Sequence, residues 1–262
     1  MEAGPQPPVN EVVLSVKLVR QPVLSGPLLP DILGDWFEKH SQVQVVPVYQ
    51  MPQESPDFGG LTSLPQIQLI GTMAEPRYWL TSADDTELIQ VQPDYLALNW
   101  RRKSPAQEYV GFAVLERRFR ELLRVTDDGL KRHGGMLQPS QCELTYINLI
   151  TPNRLWSRHS EMRNIFNVAI ANDRYDNAAV TYSRALGGND NFLGRLHVAI
   201  QSTFDWPKRE PQLNLSITVR SADMDDTNIE SALSFLNEAH DFAGEAFLEL
   251  LTDAARQMWS LK

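Results

Sequence analysis

The fold class is decided by the stretch Gln212-Leu213-Asn214-Leu215-Ser216-Ile217-Thr218-Val219-Arg220. Apolar and polar residues alternate strictly along it. Because successive side chains of a strand point to opposite faces, one face is buried and the other is in contact with water. This pattern is typical of antiparallel sheets, whose strands can leave one face solvated. We therefore predict an antiparallel sheet that packs against other elements on one side.

A long helix is predicted directly after that strand. Thr227-Asn228-Ile229-Glu230 fits a capping box, in which the Thr and Glu side chains each accept a hydrogen bond from a free backbone N–H. Apolar residues then recur every three or four positions as far as Met258. This spacing predicts one helix of roughly 30 residues, about 45 Å long. Such a long apolar stripe must lie across a sheet or along a partner helix, which makes this helix a candidate for self-association.

The chain presents the same order of elements twice. In the first half we predict strands at 11–19, 43–48, 67–70, 78–80, 87–92 and 95–98, helices near 31–38 and 109–131, and a loop at 51–65. In the second half we predict strands at 142–150, 178–185, 194–200 and 212–220, a turn at Gly187–Asp190, a short helix at 161–166 and the final helix.

These elements predict an α+β fold made of two pseudo-repeats, residues 11–135 and 136–262, after a flexible arm at residues 1–10. Each pseudo-repeat is a strand, a helix, antiparallel strands and a long helix, with the helix packed against a curved sheet. One continuous saddle-like domain is the alternative arrangement.

Composition places the chain among ordinary globular proteins. Its 262 residues are 42% hydrophobic and 22% charged, with a net charge of −9, which argues against disordered and collagen-like classes. A single Cys142 excludes an internal disulfide and a four-cysteine zinc site. The sequence shows neither the pattern of a signal peptide nor an apolar run near the ~20 residues that span a bilayer. We therefore expect a cytoplasmic protein without a membrane partner.

The stretch 101–133 is the basic region of the chain, with nine basic and five acidic side chains. Nucleic-acid binding requires such clustered positive charge. Glu116 and Glu121 interleave with the arginines, however, which favours ion pairs along a solvated helix face. We prefer this second interpretation because the whole chain is acidic, and we keep a nucleic-acid contact through Arg101–Arg132 as an alternative.

Catalytic and metal-binding patterns are mostly absent from the sequence. No two histidines are three or four positions apart, and neither a Gly-x-Ser-x-Gly elbow nor a Gly-x4-Gly-Lys loop occurs. Cys142 and His133 could form a thiolate pair, although a small core residue is the commoner role for such a Cys. Glu143 could be a buried acid, but a solvent-facing position is the default, and we expect His240 to be a core or interface residue. We predict no catalytic residue, no metal site and no cofactor.

Aromatic and hydrogen-bonding side chains concentrate on three neighbouring strands of the first half. We predict a ligand- or partner-binding site from seven of them: Arg77, Trp79, Gln90, Gln92, Asn99, Trp100 and Arg101. Gln90 and Gln92 are two positions apart, so they share one face of a strand. The tryptophans would anchor a contact, the arginines would bind a carboxylate or other anion, and the amides would orient it. A solvated polar face of a hairpin explains the same pattern without a ligand.

The motifs around these residues resemble a sporadically distributed family of prokaryotic proteins that has no functional name. The resemblance covers residues 10–155 and is carried by Arg77-Tyr78-Trp79, Leu88-Ile89-Gln90-Val91-Gln92, Asn99-Trp100-Arg101 and Cys142-Glu143-Leu144-Thr145-Tyr146-Ile147-Asn148. Patchy occurrence implies a mobile bacterial gene cassette of the antiphage-defence or toxin–antitoxin type. The resemblance brings no catalytic residues with it.

Three hypotheses of function follow from the sequence. The first is a non-catalytic binding or regulatory protein that acts with a partner protein from the same cassette. The second is a small-ligand or nucleotide-binding sensor that uses the same residues. The third is a nucleic-acid-associated protein, or an enzyme of unknown reaction, that uses the basic stretch. We favour the first because the catalytic patterns are missing.

Overall fold

One antiparallel sheet of nine strands runs through the part of the chain that the structure describes. The structure is a computed structural model and describes residues 7–56, 76–170, 175–188, 191–206 and 208–261. The strands are β1 (Val9–Leu18), β2 (Gln42–Val46), β3 (Arg77–Thr81), β4 (Glu87–Gln92), β5 (Tyr95–Arg101), β6 (Pro139–Ile150), β7 (Ala179–Gly188), β8 (Asn191–Asp205) and β9 (Glu210–Ser221). Their order across the sheet is β2-β3-β4-β5-β1-β6-β9-β8-β7. The antiparallel sheet and the α+β class are thus confirmed.

The helices pack on one face of this sheet. They are α1 (Leu29–Leu33), α2 (Asp35–Lys39), α3 (Phe112–Arg132), α4 (Ile229–Leu250) and α5 (Asp253–Met258), with 3₁₀ segments at Gly26–Leu28 and His159–Asn164. α3 contacts β1, β5, α1 and α4, and α4 contacts β6 and β9. Val12, Leu14 and Val16 of β1 are fully buried in the core beneath them. We call this side the helix face and the opposite side the far face.

Strand β1 joins the two predicted halves. Leu14 pairs with Leu98 of β5 on one side and with Leu144 of β6 on the other. One sheet therefore continues from the first half into the second. β1 also begins at Val9, so the strand includes the last two residues of the predicted arm.

The predicted terminal helix is two helices instead of one. α4 ends at Leu250, whose carbonyl accepts a hydrogen bond from the N–H of Asn167 at 2.7 Å. Thr252 then caps α5 with its side chain. A backbone contact with a distant segment ends the helix here, and helical periodicity carries no signal of such a contact.

The cap of α4 is Asn228 and not Thr227. Asn228 Oδ1 accepts a hydrogen bond from the N–H of Ser231 at 2.8 Å. Glu230 does not complete a capping box, because its carboxylate binds Arg120 of α3 at 2.5 Å. Asn and Thr are both good caps, so the sequence alone does not separate them.

Three other predictions need adjustment. The helix predicted near 31–38 is broken at Gly34, which has a φ of 53° and separates α1 from α2. The short helix predicted at 161–166 is the 3₁₀ segment His159–Asn164. The strand predicted at 67–70, residues 57–65 of the predicted loop, and Asn189 and Asp190 of the predicted turn lie outside the described residues. No helix among the described residues is long and apolar enough to cross a membrane.

Candidate functional site on the far face

Six of the seven predicted site residues lie on the far face. Pairing places Arg77 and Trp79 of β3, Gln90 and Gln92 of β4, and Asn99 and Arg101 of β5 on that side of the sheet. Trp100 lies on the helix face, where it is 3% exposed and packs against Tyr109 at a ring distance of 5.2 Å. It therefore belongs to the core and does not join the other six.

Four of the six residues form a chain of hydrogen bonds, which we call the amide ladder. Gln90 Oε1 accepts from Arg77 Nη1 at 2.9 Å and from Trp79 Nε1 at 3.2 Å. Gln90 Nε2 donates to Asn99 Oδ1 at 2.8 Å, and Asn99 Nδ2 donates to Glu11 Oε1 at 2.5 Å. Because Gln90 and Asn99 are buried, these mutual bonds offset the cost of removing their amides from water.

The two predicted anion-binding arginines have partners within the chain. The Arg77 guanidinium lies over the ring of Tyr49 at 5.6 Å and over that of Trp79 at 5.5 Å, and burial lowers its pKa. Arg101 forms an ion pair with Asp85 in the β3–β4 turn. Arg77 is thus part of an aromatic stack, and Arg101 supports a turn.

An extended segment, residues 47–56, crosses the far face, and we call it the strap. Its three prolines fix φ and lack a backbone N–H, which suits an extended chain outside the hydrogen-bonding pattern of a sheet. Tyr49 contacts β4 and Ser55 contacts β8, five strand positions away. Six residue steps at about 3.4 Å cover roughly 20 Å, and five strand spacings at about 4.8 Å cover roughly 24 Å. The strap must therefore be close to fully extended, and the side chains of Gln92 and Arg195 cover the remaining distance.

Side-chain amides of the sheet bind the backbone of the strap. Gln92 accepts a hydrogen bond from the N–H of Tyr49 at 3.0 Å and donates one to the carbonyl of Tyr49 at 2.7 Å. Gln141 Nε2 donates to the carbonyl of Pro52 at 3.1 Å. Between them Met51, 6% exposed, packs into a small apolar cluster on the far face. The two glutamines thus hold the strap by its peptide groups, and Met51 holds it by its side chain.

The only charged side chain of the strap, Glu54, is bound by three basic residues of β8 and β9, which we call the cradle. Glu54 Oε1 lies 2.6 Å from His197 Nε2 and 2.7 Å from Arg220 Nη1. Glu54 Oε2 lies 3.3 Å from Arg195 Nε, and Arg195 also donates to the carbonyl of Ser55 at 2.9 Å. The Glu54 side chain is only 7% exposed, so the cradle encloses a carboxylate.

A second buried carboxylate supports the cradle from β6. Arg220 Nε and Nη2 bind Glu143 Oε2 at 2.6 and 2.5 Å. The expectation that Glu143 faces solvent is therefore wrong, because the strap covers this part of the sheet. Burial of Glu54 favours a higher pKa, but the hydrogen bond from His197 and the charge of Arg220 outweigh it and lower the pKa of Glu54. Glu54 is thus held as an anion.

Cys142 and His133 do not meet. Cys142 is fully buried, and burial raises the pKa of its thiol, while His133 Nε2 lies 2.6 Å from Asp31. His240 is partly buried, stacks on Phe112 at 4.2 Å and lies with its Nδ1 2.9 Å from the hydroxyl of Tyr146. Among the described residues, no group of three His, Cys, Asp or Glu side chains is placed to hold a metal ion.

Much of the basic stretch is neutralised by acidic neighbours. Its ion pairs are Arg101–Asp85, Lys103–Asp85, Arg118–Glu87, Arg120–Glu116, Arg120–Glu230, Arg124–Glu230, Lys131–Asp127 and Arg132–Asp31. These pairs favour the interpretation of a solvated helix face over a phosphate-binding patch.

A cavity of about 260 Å³ lies beside the strap. It is bordered on the sheet by Lys17, Gln92, Asp94 and Tyr95, and on the strap by Tyr49, Gln50, Met51 and Gln53. Ligand pockets usually measure about 300–1,000 Å³. The cavity is thus smaller than a typical site for a nucleotide or a drug-sized molecule.

The cradle was not predicted from the sequence, although part of its signal was present. Arg195 and His197 are two positions apart in β8, and Arg220 closes the alternating stretch of β9, so all three share one face. Glu54 lies in a segment predicted only as a loop, and nothing in its local pattern indicates the contact.

Comparison with known proteins finds no match to this chain among family models, curated protein sequences or solved structures. The resemblance to the prokaryotic family thus stays a prediction from the motifs.

Proposed function

We propose that this chain is a non-catalytic binding protein with a regulatory role, and that it recognises a partner protein through its far face. The observation that carries this proposal is the binding of an extended polypeptide segment across six strands by side chains of the sheet. Gln92 contacts both peptide groups of Tyr49, and Gln141 contacts that of Pro52. Backbone-directed contacts give affinity in peptide recognition, and side-chain sites give specificity.

The chemistry of the described residues favours binding over catalysis. The thiol of Cys142 is a poor nucleophile because it is buried and its pKa is raised. The hydrogen-bonding side chains of the amide ladder bind one another, so they position Arg77 and Trp79 instead of activating a substrate. As the resemblance implies, we expect the partner to be encoded in the same mobile gene cassette, of the antiphage-defence or toxin–antitoxin type.

We further propose that the two halves are structural repeats. The element order supports this: β1, short helices, the strands β2 to β5 and α3 are followed by β6, a 3₁₀ segment, the strands β7 to β9 and α4. In each half the last strand returns to pair with the first, as β5 with β1 and β9 with β6. The first half contains one more strand than the second within the described residues.

Trp79 provides the test of the partner site, because it is half-buried on the far face beside Arg77. The full chain would be purified with an affinity tag from its host, and the complex rebuilt from the purified chain and the co-purified protein. We expect Trp79→Ala to weaken this complex by at least about tenfold, as truncation of an aromatic anchor does.

The matched control is Trp206→Ala, since Trp206 is 70% exposed at the tip of the β8–β9 hairpin. We expect this variant to bind like the wild type in calorimetric titration. A chain that purifies alone as a monomer, or a complex weakened by Trp206→Ala and not by Trp79→Ala, would contradict the proposal.

A further inference from the structure

The strap is held at two anchors of different chemistry. At one end the ring of Tyr49 lies 5.6 Å from the Arg77 guanidinium and 5.0 Å from the ring of Tyr95, and its hydroxyl interacts with Arg220. At the other end the carboxylate of Glu54 lies in the cradle, and Met51 packs between the anchors. The strap thus presents an aromatic, an aliphatic and an acidic side chain at positions 49, 51 and 54.

The cradle buries several charged side chains at a place where apolar side chains of similar volume would also pack. Burying Glu54 removes its carboxylate from water together with the guanidinium groups of Arg195 and Arg220. The buried carboxylate of Glu143 then balances the second positive charge. Buried ion pairs contribute little net stability, since apolar residues of similar volume often do as well. What such an arrangement does provide is selectivity, because arginine binds planar carboxylates in a defined geometry. A carboxylate-selective site on a sheet face is therefore better explained by recognition than by stability.

We infer that the far face from Arg77 to the cradle is a recognition site for an extended acidic segment of the partner, with aromatic, aliphatic and acidic residues at the spacing of Tyr49, Met51 and Glu54, and that the strap is its internal occupant. This inference rests on the proposed function, since it names the part of the partner that is bound.

An internal occupant controls which segments can bind. A segment tethered to its own site competes at an effective concentration in the millimolar range. A segment that fits only the Tyr49 site or only the Glu54 site binds too weakly to displace the strap. A segment that fits both sites can replace the strap. The strap would therefore act as a filter that admits a partner of the right pattern.

The test uses a fluorescent peptide of residues 47–56 and the full-length Glu54→Gln variant. Gln keeps an oxygen for His197 but removes the charge that Arg220 binds, so the strap of this variant competes less well. We expect the peptide to bind the variant at least about tenfold more tightly than the wild type in fluorescence anisotropy. A peptide with Gln in place of its Glu should lose at least about tenfold in affinity for the same variant.

Val48→Ala is the matched control, because Val48 lies in the strap but its side chain is 37% exposed. This variant should bind the peptide like the wild type. If Glu54→Gln lacks a cooperative melting transition, Tyr49→Ala replaces it, since this change removes a hydroxyl that interacts with Arg220 but keeps the Glu54 carboxylate and its ion pairs. It should also bind the peptide more tightly than the wild type.

Equal affinity for the Glu and Gln peptides, or no peptide binding by either strap variant, would overturn the inference. The outcome is separable from that of the proposed function, because the peptide needs no partner protein. A partner that depends on Trp79, without peptide selectivity, would uphold the proposed function alone. Selective peptide binding by a chain without a partner would uphold the recognition site alone.

Discussion

Glu54 shows how a single residue can connect distant parts of a chain. Its carboxylate binds His197, 143 positions away, and Arg220, 166 positions away. Each of these groups would be costly to bury alone, and together they satisfy one another. The part of the far face that binds Glu54 is consequently polar and yet buried.

His240 gives a pH prediction at the residue scale. Burial lowers its pKa, and the nearby Asp241 only partly opposes this. The folded state therefore resists protonation, and the unfolded state takes up a proton first as the pH falls through about 6.5. The contribution to the free energy of unfolding is complete above that pH and decreases below it.

The prediction is checked with His240→Gln, because Gln can keep a hydrogen bond to Tyr146 but does not titrate. Between pH 7.5 and about 5.5, the urea midpoint of the wild type should fall more than that of the variant. Parallel midpoints for the two proteins would show that His240 does not have this role.

At the scale of elements, the contact between α1 and α3 depends on Gly129. A Cβ at this position would lie 2.4 Å from the carbonyl oxygen of Ile32 and 2.6 Å from its Cα, both backbone atoms. We expect Gly129→Ala to lower the free energy of unfolding by about 1–3 kcal/mol, because α1 would have to move away.

The control is Gly244→Ala in α4, where a Cβ would meet nothing within 4 Å. Here the usual helix preference for Ala applies, and stability should rise by roughly 0.5–1 kcal/mol. Melting temperatures that shift in the same direction in both variants would contradict the close packing of α1 on α3.

The strands could be predicted from the sequence because their signal is local. Gln90 and Gln92 share a face owing to a period of two, and the alternation in 212–220 gives β9. The ends of the helices depend on distant partners, such as Asn167 at the end of α4 and Arg120 for Glu230. Local periodicity contains no information on these contacts.

At the scale of the molecule, the strap links the two halves of the sheet. Tyr49 is bound next to β4 and β5 of the first half, and Glu54 is bound by β8 and β9 of the second. The apolar stripe of α4, which predicted self-association, packs against β6, β9 and α3 within the chain. The surface for a partner is therefore better sought on the far face than along this helix.

The candidate site was predictable only in part, for the same reason. The first part of the site lies on β3, β4 and β5, which are consecutive in the chain and adjacent in the sheet. The sequence therefore brings together Arg77, Trp79, Gln90 and Asn99. The cradle belongs to the other half. Trp100, which is predicted as an aromatic anchor, lies on the face of the sheet opposite to its neighbours Asn99 and Arg101. Only the position of the strap shows that Gln92 and the cradle, at opposite ends of the far face, bind the same segment.

The most direct test of the central claim is amide hydrogen exchange on the chain alone and in complex with its partner. If the far face binds polypeptide, exchange should slow in β3, β4, β8 and β9 and become faster in residues 47–56, as the strap gives way to the partner. Slower exchange in α3 and α4, with the strap unchanged, would place the partner on the helix face and contradict the claim.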